Sequence, residues 1–188
     1  MSVDVAPLAP PRATPERPRL NRRADWARRR RLASQDRLSA QLGELHHIRA
    51  LLTQAATVVS SGWVQHGWFS VPGSHGEQRL VTAHTMGVVD SEPISGACLV
   101  GAIVHAGGGP AAVHTQLVQR TLDLSWHTLY EDPQQPVRWC PAPAVRMAHV
   151  RDLTRWNDSP HRTVAQVGAF FTAAIDTTDA QRGLVLAR

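Results

Sequence analysis

Cys98 opens an apolar run, Cys98-Leu99-Val100-Gly101-Ala102-Ile103-Val104. A cysteine so placed at a helix start can become a nucleophile, because the helix N-terminus lowers the thiol pKa and a distant histidine supplies the base. His105, His114, His127 and His149 follow, with Asn157 and Asp158 beyond them as orienting groups. The order Cys98, His149, Asn157 is therefore compatible with a thiol-dependent hydrolase or transferase. The opposing reading makes Cys98 a small buried hydrophobe in an Ala/Gly-rich helix, where free cysteine is usually found. No signature of a known thiol hydrolase flanks it. No catalytic residue is assigned on this basis, and the Cys98 set stands as the alternative.

The chain has ten histidines, but their spacing does not suggest a metal centre. There is no Cys-x-x-Cys and no His-Glu-x-x-His, and the adjacent His46 and His47 diverge by about 100° on a helix. Gly107-Gly108-Gly109 precedes a helix start at Pro110 without the Lys-Ser/Thr of a phosphate cradle, so it reads as a turn between helices. No metal or cofactor is expected.

The clearest binding chemistry lies at the N-terminus. Residues 1–37 hold ten Arg against four acids (Asp4, Glu16, Asp25, Asp36), a net of +6, whereas residues 38–188 are near neutral. Arg22, Arg23 and Arg28–Arg31, with Trp26 among them, resemble in composition the arginine-rich segments that meet phosphates with guanidinium groups and stack a base on a ring. Nucleic acid, or an acidic protein surface, is the expected partner of this arm. Contacts of this kind give affinity without reading sequence. All 20 basic residues are Arg, which reflects GC-rich coding rather than chemistry.

The elements that position these residues read as mainly α, or α+β. Residues 1–19, rich in Pro and Arg, are expected to be disordered. Asn21–Val59 reads as helix, with an apolar stripe at Leu38, Leu42, Leu45, Ile48, Leu52, Ala55 and Val59 that could seed a homo-oligomer. Trp63–Val71 and Leu80–Val89 read as a hairpin with its loop near His75-Gly76. Three or four helices follow: Ser95–Ala106, Ala111–Tyr130, Ala144–Arg155, and a last one opened by a Thr163–Gln166 capping box and ending near Ile175. The predicted organisation is a basic arm over 1–37, one helical domain over 38–176 and a tail over 177–188. Trp63, Trp68, Trp126, Trp139 and Trp156 are the expected core anchors. With no apolar stretch long enough to span a membrane and no secretory h-region, no membrane association is expected, and a cytoplasmic location is.

Three pieces of the sequence also resemble a family of small proteins of unknown function from high-GC bacteria and their phages. They are Gly62-Trp63-Val64-Gln65, then Cys98-Leu99-Val100-Gly101-Ala102, then Trp156-Asn157-Asp158 with Arg162-Thr163 and Val167. The resemblance covers roughly 48–175 and leaves out the arm. The segment between Gly67 and Gly96 is longer here than in that pattern. What the resemblance implies is a domain boundary, not an activity. The leading reading is a non-enzymatic binding or accessory module.

Overall fold

The buried stripe of the first helix, α1 (Arg22–Ser61), comes from apolar side chains repeating every three or four residues: Leu45, Ile48, Leu51, Leu52, Ala55 and Val59 are all buried. The computed structural model describes residues 22–73, 77–85, 93–140 and 142–187, with side chains from residue 25 onward. The expected disorder of 1–19, the side chains of Arg22 and Arg23, the hairpin loop at His75-Gly76 and the far end of its second strand lie outside the described residues. The chain divides into two units, residues 1–36 and residues 37–188.

In the second unit a short chain reversal leads from α1 into a three-stranded antiparallel sheet of order β2-β1-β3. Strand β1 (Phe69–Pro72) pairs with β2 (Gln78–Val81) in the register Phe69 to Val81, and with β3 (Gly96–Ala97) through Phe69 and Ala97. The expected hairpin is thus present but shorter. The third strand was not anticipated, because two residues, Gly and Ala, carry no alternation to read. In the sequence they read as the start of the next helix, which begins later, as α2 (Leu99–Ala106).

Helix α2 is buried from Leu99 to Val104 and forms the centre of the core. Two glycines let backbone approach it and the sheet. A Cβ at Gly101 would lie 1.9 Å from the Trp68 carbonyl oxygen, and one at Gly62 would lie 2.2 Å from that of Ser95. Any side chain at either position would force the layers apart. A 3-10 turn, Pro110–His114, precedes α3 (Gln116–Tyr130), which Thr115 caps by accepting a hydrogen bond from the Val118 N–H. Helices α4 (Pro143–Asn157) and α5 (Val164–Leu186) complete the fold, and 68% of the described residues are helical.

Three expectations are corrected. First, the segment expected as a tail from 177 is the last part of α5. Its inward positions are polar, so the apolar period fades, yet each is satisfied. The Thr177 and Thr178 hydroxyls donate to the Ala173 and Ala174 carbonyls, and Gln181 bonds Val137 N–H, Pro133 O and Gln135 O. Secondly, Trp68 alone of the five tryptophans is buried, and the largest fully buried side chains are Phe69, Phe171 and aliphatics. The other four are partly buried and pack against the core, with the Trp63 indole N–H donating to Asn157 and that of Trp126 to Asp152. Thirdly, the helix expected over Ala111–Tyr130 is divided into the 3-10 turn and α3, which starts at Gln116; the α1 stripe is buried from Leu45 to Val59, with Leu38 exposed (37%).

The Thr163–Gln166 capping box forms as read. Thr163 Oγ1 accepts from Gln166 N–H at 3.3 Å, and Gln166 Oε1 accepts from Thr163 N–H at 3.0 Å.

Candidate functional site

The marker residues converge on Asn157, at the C-terminal end of α4. Its Oδ1 accepts from Trp63 Nε1–H (2.9 Å) and from Leu99 N–H (3.1 Å), while its Nδ2 donates to Val64 O (3.1 Å) and Asp158 Oδ1 (2.9 Å). Both donors and both lone pairs are used, which fixes the amide orientation. Gln65 Nε2 reaches the Asn157 and Ser159 carbonyls, and Arg162 lies 3.7 Å over the Trp156 ring while donating to Trp156 O. His66, at φ +62°, is the one described non-glycine residue in the left-handed region. Its N–H donates to Asp158 Oδ1 at 3.0 Å, holding the turn in that conformation. Asn157, buried with every polar atom matched, therefore ties the α1–β1 turn, the α2 start and the α4 end together. The arrangement is a strut in which no polar atom of Asn157 is left over for a substrate.

Cys98 is the N-cap of α2, where its sulfur accepts from Gly101 N–H at 3.3 Å. The thiol is fully buried. Burial pushes its pKa up to about 12, against the opposing pull of the Gly101 and Val100 backbone bonds. Desolvation outweighs the helix N-terminus here, so the thiol stays protonated at neutral pH. Asn157 reaches the helix start beside Cys98, but the contacts of His149 lie elsewhere.

His149, on α4, faces α3. Its Nδ1 is 3.3 Å from Asp123 Oδ1, and its ring stacks on Trp126 at 4.1 Å. Asp123, 1% exposed, also accepts from Cys140 N–H at 3.2 Å and lies 3.5 Å from Arg146 Nε. One helical turn along α3, His127 Nδ1 is 2.6 Å from Glu131 Oε2. Asp123, Trp126, His127, Glu131 and His149 line a cavity of about 340 Å³ together with Arg138, Trp139, Cys140 and Val145. The structure thus brings His149 to the second cysteine, not to Cys98. The Asp123, His127, Glu131 spacing places three titratable groups on one helix face, a signal of the α3 side of this cluster but not of its pairing with α4. Among the described residues no group of three donor side chains could hold a metal ion.

The other candidate surface belongs to the first unit. Along α1, residues 28–36 are all exposed, and Arg28–Arg31 form none of the ion pairs found among the described residues. Arg29 Nε donates weakly to the Asp25 carbonyl (3.4 Å), and the Arg30 guanidinium sits 5.3 Å over the ring of Trp26, itself 59% exposed. Four successive cations on one helix repel one another, an arrangement that a polyanion would relieve.

The molecule is thus a mainly helical domain, knitted at Asn157, with a charged helical segment at its N-terminal side. The family of unknown function DUF6197 matches residues 44–177, and the chain belongs to that family. The match contains the Asn157 strut and the α3–α4 cavity and stops short of the basic segment. No curated protein and no solved structure matches the chain. Among the described residues no helix is long and apolar enough to cross a membrane.

Proposed function

We infer that the protein is a non-enzymatic binding module that grips nucleic acid through its arginine-rich segment. The observation that carries this reading is the run Arg28–Arg31: four exposed guanidinium groups on one helix, with no carboxylate partner among the described residues. Arg22 and Arg23 extend the same run in sequence, and Trp26 adds a ring on which a base can stack. The charge surrounds the helix instead of forming one face, which suits phosphate contact from several directions and no particular base sequence. The thiol-enzyme alternative has less support, since burial keeps the Cys98 thiol protonated and His149 belongs to a different cluster.

Fluorescence anisotropy with labelled mixed-sequence duplex DNA at low salt tests the proposal. The intact protein should bind, unrelated duplexes should compete equally, and an Arg28–Arg31→Ala variant should lose most of the signal. Equal binding by the two proteins would remove the arm from the account. Binding to an acidic peptide but not to DNA would transfer it to an acidic protein surface.

A further inference from the structure

Of the six tryptophans, five lie in or against the core: Trp68 is buried, and Trp63, Trp126, Trp139 and Trp156 pack on its edge. Trp26 is the exception. It is 59% exposed, it stands at the head of a stretch of α1 in which residues 28–36 are all exposed, and its ring is met by the Arg30 guanidinium at 5.3 Å.

On an α-helix, the residues three and four places away are a side chain's neighbours on its own face. For Trp26 these are Arg22, Arg23, Arg29 and Arg30, all within α1. The indole thus stands at the centre of four arginine positions, one pair a turn before it and one pair a turn after. Each turn is about 5.4 Å along the axis. Asp25, the acid of this first stretch, is set about 100° round the helix from the ring.

Arginines alone would favour a duplex, whose phosphates are more densely charged. Counter-ion release contributes about −0.9 to the salt slope per duplex phosphate, against about −0.7 for a single strand. A flat ring among the arginines changes that preference. In a duplex each base face is covered by the next base and only the edges are open, whereas the faces of an unpaired strand are free to stack. Stacking on an aromatic ring needs no particular base. A strand stacked on the Trp26 indole would carry its flanking phosphates past the arginine positions on either turn.

We propose that Trp26 and the four arginine positions around it form a site for a single-stranded polynucleotide, with one unpaired base on the indole and the neighbouring phosphates on guanidinium groups. The proposal rests on the arm as a nucleic-acid grip and narrows its ligand from polyanion to unpaired strand. The chemistry recognised, a base face beside phosphodiesters, is common to DNA and RNA.

The test titrates the full chain, by fluorescence anisotropy, against three short labelled probes: a mixed-sequence DNA strand, the same strand as RNA, and the DNA duplex of equal length. All three are measured at one salt concentration at which the duplex still binds. The better strand should bind about fivefold or more tighter than the duplex. Trp26→Ala should lower strand affinity about five- to a hundredfold and remove that preference, without weakening the helix, since alanine is the better helix former. Trp26→Phe, which keeps a ring, should retain most of the affinity. Strand binding should also quench indole emission far more in the intact protein than in Trp26→Phe. Tighter binding than duplex by either strand supports the proposal, and the tighter of the two names the source. A duplex bound as tightly as the better strand, or strand affinity unchanged in Trp26→Ala, would overturn the proposal while leaving the arm's grip on phosphates in place. Failure of the grip itself is seen separately, as undiminished binding by Arg28–Arg31→Ala or no binding of any probe, and would overturn both.

Discussion

The two halves of α1 are helical for opposite reasons. From Leu45 to Val59 the helix has a stripe of six buried apolar side chains, and packing against the core holds it. From Arg28 to Asp36 every residue is exposed, so only intrinsic propensity and local pairs such as Arg30 over Trp26 support it. Short helices without tertiary packing are marginal in water, and four adjacent cations weaken this one further. One half is therefore architecture, and the other, on the function proposed above, is held ready for an external partner. The comparison separates residues whose loss should unfold the domain from residues whose loss should alter only binding.

The largest effect should come from Leu52→Ala. This fully buried residue should cost about 2–5 kcal/mol by chemical denaturation. Leu38→Ala, on the exposed part of the same stripe, should stay within about 0.5 kcal/mol. Similar losses at both positions would mean that Leu38 is buried in solution, as an oligomer seam would require.

Alkaline pH should come next. Between the ordinary thiol value of 9.0 and about 12, the unfolded chain loses the Cys98 proton that the folded protein retains. Stability should therefore be unaffected by this group below pH 9 and should fall as pH rises, by up to about 4 kcal/mol. Cys98→Ala should flatten most of that slope. A smaller residue should remain from Tyr130, whose hydroxyl is also raised by burial and by the nearby Asp152 charge. Fast thiol labelling of Cys98 in the folded protein at pH 8 would contradict this account of the site. Asn157→Ala follows, at about 2–3 kcal/mol, because it leaves Trp63 Nε1–H and Leu99 N–H without their acceptor. DNA binding by that variant, while folded, should be unchanged.

Much of the fold was legible in the sequence because its signals are local. The α1 stripe, Pro110 opening a helical turn, the Thr163 capping box and the apolar α2 run each depend on residues within a few positions of one another. What was missed depends on distant pairing. Gly96-Ala97 becomes a strand only because β1 lies beside it, and the end of α5 is held by Gln181 reaching the 133–137 loop. The candidate sites divide in the same way. The arginine run is visible in composition alone, whereas His149 could not be assigned to Asp123 without knowing that α3 and α4 are neighbours. Trp156-Asn157-Asp158 is visible in the sequence as a motif, with Trp156 as a core anchor. The pairing of Asn157 with Trp63 and Leu99, residues 94 and 58 positions away, needed the fold.

The smallest effect on stability should be that of the arm itself. Arg28–Arg31→Ala should leave the melting temperature of the domain unchanged, since these side chains are fully outside its core. That same variant provides the most direct test of the central claim, through a salt titration of duplex DNA binding alongside the intact protein. If about six arginines meet phosphates, the slope of log K against log salt should be near −5, and the variant's slope should be shallower by up to about 4. Parallel slopes for the two proteins, or affinity that does not change with salt, would contradict the account.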